Sequence, residues 1–142
     1  MPTSHPIKTD IVDGSVYYYS DPDLQSTYPH YCIVVNLKPS QDKTILLVHA
    51  SHRIDRVKER RKDCPQETLV EISPIQYVGF DKDTIIDCNE VLVRDIEVLA
   101  NKLHQGKLQI RPLMGLRLVR QLRKGLIASE QIPQSIKDRL TE

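Results

Sequence analysis

Tryptophan is absent from this sequence of 142 residues and phenylalanine occurs once, so any core must be filled by Ile, Leu, Val and Tyr. Cysteine is scarce too. Cys32, Cys64 and Cys88 are odd in number and widely spaced, with no CxxC pair. That argues against a disulfide scaffold or a zinc knuckle and for a reducing compartment. Cys32 and Cys88 lie inside apolar, strand-like runs and read as small buried hydrophobes. No apolar run approaches the ~20 residues of a membrane-spanning helix. Residues 1–10 are polar, hold two prolines and lack the apolar stretch of a signal peptide. A cytoplasmic protein without membrane association is expected. There is no glycine-rich phosphate loop and no nucleophile elbow, and His30, His49, His52 and Cys32 show no familiar ligand spacing. Neither metal nor cofactor is expected.

What is present is unevenly placed charge. The chain as a whole carries +1. Residues 53–62 hold Arg53, Arg56, Lys58, Arg60, Arg61 and Lys62 against Asp55 and Glu59. Residues 107–124 hold Lys107, Arg111, Arg117, Arg120, Arg123 and Lys124 and no acid. Two cationic segments therefore sit on an acidic body. Such segments bind polyanions by releasing condensed counterions, although a solvated loop and a solvated helix face carry the same pattern.

The length fits a single domain over 1–142. Gly14 to Tyr19 reads as a strand after an Asp13-Gly14 turn, and 20–29 as a loop. Residues 30–37 and 43–50 are β-branched and apolar, joined by Pro39-Ser40-Gln41-Asp42, and read as a hairpin. The basic segment reads as an exposed excursion, with Ile54 and Val57 as the only anchors for a short helix. Residues 68–72 alternate as a strand, and Ser73-Pro74 opens one helical turn through Tyr77. Residues 84–88 and 91–94 are short strands. From Asp95, an N-cap, the period becomes helical through Ile96, Leu99 and Leu103, and Gly106 stops it. A second helix runs from Pro112 to about Ala128. Met114, Leu118, Val119, Leu122 and Leu126 share its apolar face, and Arg117, Arg120 and Lys124 lie opposite. Pro133 opens a last short helix. The class is α+β: five or six short strands over about 14–94 in a small barrel or bent sheet, then C-terminal helices over 107–142.

These pieces resemble the MazF/PemK toxins. The resemblance lies in Gly14-Ser15-Val16-Tyr17, His30 to Asn36, Leu47-Val48-His49-Ala50-Ser51 and Ile86 to Val91, and covers roughly 13–100. It implies an SH3-like barrel that forms a homodimer and cleaves single-stranded RNA without a metal. It also implies a restraining antitoxin, and the basic stretches suit an acidic protein in that role. Where the family has a catalytic Arg followed by Pro, this chain has His30-Tyr31. Where the family has a hydroxyl after its third strand, this chain has Ser51. Where PemK-type members carry Arg and Asp around a late strand, Asp87 and Asn89 stand here.

RNA cleavage through the 2′-hydroxyl needs a base, an acid and a cation beside the phosphorane. An antiparallel hairpin brings His30 to the end of its partner strand, where Ser51, His52 and Arg53 follow. His30 and His52 then form the acid–base pair, Arg53 faces a phosphate oxygen and Ser51 holds one by hydrogen bond. Arg56, Lys58, Arg60, Arg61 and Lys62 would track the RNA backbone. Tyr18 is a candidate stacking platform, and Asp87 and Asn89 would orient substrate. The alternative is a barrel of the same ancestry that binds nucleic acid or a protein without catalysis. For each histidine the plain reading is a solvated strand-end residue.

Overall fold

A computed structural model describes residues 10–24 and 28–141. In chain order these form β1 (Val16–Tyr19), β2 (His30–Val34), β3 (Thr44–Ser51), α1 (Ile54–Arg60), a 3-10 turn (Gln66–Thr68) and β4 (Leu69–Ile72). There follow β5 (Thr84–Asp87), β6 (Leu92–Asp95), α2 (Ile96–His104), β7 (Leu108–Arg111), α3 (Leu116–Ala128) and α4 (Gln134–Lys137).

All seven strands join one antiparallel sheet in the order β4-β5-β3-β2-β1-β7, with β6 also on β3. The long β3 organises it. One edge of β3 pairs with β2, while the other pairs with β6 along Thr44–Leu47 and with β5 at Ala50 and Ser51. Alternation of side chains across the pleat gives the sheet two apolar faces. On one face Val16, Ile33, Val48, Val70, Ile72 and Ile86 cluster with Val119, Leu122 and Leu126 of α3. On the other, Tyr17, Tyr19, Cys32, Val34, Ile45 and Leu47 cluster with Leu99 of α2 and with Leu108. Helices therefore cover both faces. Gly14 closes one junction: its φ is +90°, and an added Cβ would stand 2.6 Å from the Met114 carbonyl oxygen.

The α+β class is observed, the hairpin of β2 and β3 forms, and Asp95 caps α2 by accepting the Glu97 N–H at 2.8 Å. Three expectations are corrected. The strand ladder does not close into a barrel, because β4 and β7 end the order without pairing to each other. Residues 108–111 are a strand, not part of a helical extension, since Leu108 to Arg111 pair antiparallel with Tyr19 to Val16 of β1. The basic segment is a helix, because Val57 (4% exposed) anchors it and its cations bond down to β4 and β5. The single turn expected from Ser73 to Tyr77 is present: the Tyr77 N–H bonds to the Ser73 carbonyl at 3.1 Å, and Ser73 Oγ accepts the Gln76 N–H at 3.4 Å as a cap.

Candidate nucleic-acid interface

The β2–β3 ladder pairs Cys32 with His49, Ile33 with Val48 and Val34 with Leu47. Continued two residues, that register sets His30 across from Ser51, so the two strand ends do meet. The His30 ring packs edge-on against His49 with centroids 5.9 Å apart. Its Nδ1 is buried with no hydrogen-bond partner. Burial pushes its pKa down; a hydrogen bond to the Tyr28 backbone opposes this, and the nearby His52 adds to the lowering. His49 is likewise lowered, first by burial, although Glu90 lies 3.7 Å from its Nε2 and pulls the other way. His30 is thus a neutral imidazole packed inward.

His52 is exposed. Its Nδ1 lies 3.3 Å from Thr84 Oγ1, whose own hydroxyl donates to the Lys82 carbonyl at 2.9 Å. A hydroxyl has one proton to give. The Lys82 bond uses it, so Nδ1–H of His52 is the donor to Thr84. That tautomer leaves Nε2 as a free acceptor. Ser51 Oγ accepts the Arg53 N–H at 3.1 Å, fixing the turn between β3 and α1. An open depression here is lined by His52, Arg53, Ile54, Asp55 and Arg56. Arg53 and Arg56 are exposed, and neither forms an ion pair with a described residue.

The other cations of the basic segment are engaged. Lys58 Nζ lies 2.8 Å from Glu71 Oε2, and Lys62 Nζ is 3.4 Å from Glu59 Oε1. Arg61 Nε donates to Asp87 Oδ2 at 2.8 Å, Arg61 Nη2 reaches Glu90 at 3.2 Å, and Arg60 Nη2 is 3.4 Å from Asp87. Asp87 and Asn89 are buried and face inward. The Asn89 backbone and side-chain N–H groups donate to Asp87 Oδ1 at 3.0 and 2.9 Å. Asn89 Nδ2 also meets Thr68 Oγ1 at 3.0 Å, and Ser129 Oγ donates to Asn89 Oδ1 at 2.7 Å. These two residues join α1, β5, the 3-10 turn and the end of α3, and neither presents a surface to substrate. Arg123 is also internal, donating Nε to the Val35 carbonyl at 2.7 Å, whereas Arg117, Arg120 and Lys124 are exposed as the helical pattern indicates.

Tyr18 is half-buried and lies against Tyr31, ring centroids 4.6 Å apart. Sequence reasoning missed Thr84, Tyr31 and Arg111. Thr84 gave no signal, because its role depends on a partner 32 positions away. Among the described residues no group of three or more His, Cys, Asp or Glu is placed to hold a metal ion. No family model matches the chain, and a search of curated proteins finds no match.

Proposed function

We propose that this chain is a MazF/PemK-like protein that binds single-stranded RNA at the junction of β3 and α1. One observation carries the reading. Among the cations of residues 53–62, only Arg53 and Arg56 have no carboxylate partner among the described residues, and both line the depression that holds His52. An RNA phosphate set there meets two guanidinium groups, with the Ser51 hydroxyl beside them. A bent sheet with β3 shared between β2, β5 and β6 supports reading the fold as an opened SH3-like barrel. The same family reading carries a homodimer and an acidic protein partner.

Metal-independent RNA cleavage is the second reading, and the Nε2 of His52 favours it. That nitrogen can take a 2′-hydroxyl proton while Arg53 offsets charge on the phosphorane. His30 is poorly placed as the complementary acid, since its Nδ1 is enclosed. RNA binding is therefore the primary reading. The test is fluorescence anisotropy of a labelled mixed-sequence RNA across a salt series, with a gel assay for cleavage on the same mixtures. An affinity that does not fall with salt contradicts phosphate-driven binding.

A further inference from the structure

Arg111 differs from every other arginine described. Arg60, Arg61, Arg94 and Arg139 each meet a carboxylate, and Arg123 meets both Asp13 and a carbonyl. Arg53, Arg56, Arg117 and Arg120 have no such partner among the described residues but are exposed to water. Arg111 is half-buried, and its Nε is enclosed without any acceptor. A guanidinium nitrogen enclosed without an acceptor is costly, and such groups mark places where a ligand completes the bonding. It stands over the Tyr31 ring, 5.9 Å from the centroid.

Tyr31 is itself part of an aromatic row. Tyr18 lies 4.6 Å from it and Phe80 5.3 Å, and Tyr77 lies 4.7 Å from Phe80. Phe80 and Tyr77 are buried, and the Tyr77 hydroxyl donates to the Pro112 carbonyl at 2.6 Å, which fixes the back of the row beside Arg111. Tyr18 and Tyr31 are only half-buried, and their planes are tilted by 42°. Tyr18, Tyr31 and Arg111 come from β1, β2 and β7: Tyr18 stands opposite Tyr31, and Arg111 stands opposite Val16, two residues along β1 on the same side of the pleat. Tyr31 precedes Cys32 in β2 and continues the register opposite Ala50, two residues from His52.

We propose that Tyr18, Tyr31 and Arg111 form a nucleotide subsite of the RNA groove. A base stacks on the two tyrosines, and a flanking phosphate, or the base's own acceptor edge, meets Arg111. The proposal rests on the RNA reading and adds where a base is held. Stacking on aromatic rings is tolerant of sequence, so the subsite takes any unpaired base.

The test compares a labelled RNA hexanucleotide with the same backbone bearing abasic residues. The base-bearing oligonucleotide binds about tenfold or more tightly, the effect of stacking one base. The double substitution Tyr18→Leu with Tyr31→Leu removes that preference and leaves abasic binding unchanged. Phenylalanine at both positions keeps the preference, and Arg111→Gln weakens binding. With no tryptophan in the chain, tyrosine emission reports stacking directly. It is quenched by the base-bearing strand alone, and this readout decides the matter if the leucine variant does not fold. Equal affinity for the two strands, a preference that survives the leucine pair, or unquenched emission overturns the subsite. If the wild-type chain binds neither strand, the RNA reading falls, and titration with adenosine monophosphate then judges the subsite alone. A shift of the Arg111 Nε–H resonance upholds it, and no shift at millimolar nucleotide overturns it.

Discussion

Arg61 Nε donates to Asp87 Oδ2 over 2.8 Å, and this contact pins the C-terminal end of the basic helix α1 to the end of β5. Asp87 is 3% exposed, so its charge depends on that arginine and on the two N–H groups of Asn89. Asp87→Ala leaves Arg61 and Asn89 without their acceptor. It is expected to cost about 3 kcal/mol, the low end for breaking a buried pair. Denaturant unfolding measures this. A loss below about 0.5 kcal/mol, the scale of ordinary surface substitutions, would show that the network is incidental.

Acid stability follows from the other buried carboxylate. Burial of Asp21 raises its pKa, but bonds from Arg94 and from the Tyr19 hydroxyl outweigh this and lower it to about 2. A depressed carboxylate contributes stability above its unfolded pKa and loses it as pH falls through the folded value. A shift of this size is worth about 2 kcal/mol by linkage. Unfolding free energy should fall between about pH 4 and pH 2, in the range where the folded and unfolded carboxylates titrate apart. Asp21→Asn should remove this part of the slope, and an unchanged slope would contradict the assignment.

His30 and His49 act at higher pH with the opposite chemistry. Both are lowered chiefly by burial, so the folded state holds their neutral forms. Their contribution is complete above the unfolded histidine pKa of about 6.5 and declines as pH drops below it. Replacing both with Gln should flatten the decline of stability between neutral pH and pH 5. Histidine NMR titration gives a separate check, since both rings should resist protonation more than a free imidazole.

The apolar periodicity of 96–103 and 114–126 foretold α2 and α3, and the β-branched runs foretold the hairpin, because each is written in neighbouring residues. What was hidden depends on distant partners. Nothing near Arg61 says that Asp87 waits 26 residues on, so α1 read as a solvated loop. Leu108–Arg111 carries one buried side chain and looked unlike a strand until β1 paired with it. The candidate site was half legible. The meeting of His30 with Ser51 came from hairpin register, while the inward packing of His30 and the fixing of His52 by Thr84 required the fold.

Gly125 illustrates a constraint that helix propensity alone inverts. In a helix interior Ala is favoured over Gly by about 1 kcal/mol. Here an added Cβ would stand 2.8 Å from the Glu67 carbonyl oxygen and 2.9 Å from Cys88 Sγ. Both neighbours are held, the first by the 3-10 turn and the second inside the core, so α3 must move away. Overpacking of this kind costs about 1–3 kcal/mol and outweighs the propensity gain. Gly125→Ala should lower the denaturation midpoint, whereas a stabilised variant would show that α3 sits more loosely on the sheet.

Charge at the groove can be counted. Each phosphate contact on a single strand adds about 0.7 to the slope of log affinity against log salt. Arg53→Gln with Arg56→Gln should therefore reduce the slope by about 1.4 if both contact phosphate. Arg60→Gln serves as the comparison, since that side chain is turned toward Asp87 at 3.4 Å and should leave the slope nearly unchanged. If the two variants lower the slope equally, binding is spread over the whole basic segment and the depression beside His52 is not its focus.

Cleavage, if the chain performs it, must run through His52 Nε2, and Thr84 provides the means to test that. Thr84→Val removes the acceptor that holds Nδ1–H while leaving Arg53 and Arg56 in place. The freed ring can then carry its proton on either nitrogen, and only one tautomer offers Nε2 as a base. The variant should bind RNA as the wild type does and cleave more slowly. Thr84→Ser should restore the rate, because it retains the hydroxyl. His52→Ala should abolish cleavage with binding reduced far less than in the Arg53, Arg56 pair. A Thr84→Val enzyme that cleaves at the wild-type rate would remove His52 from the reaction. Cleavage surviving His52→Ala would place the chemistry elsewhere in the molecule.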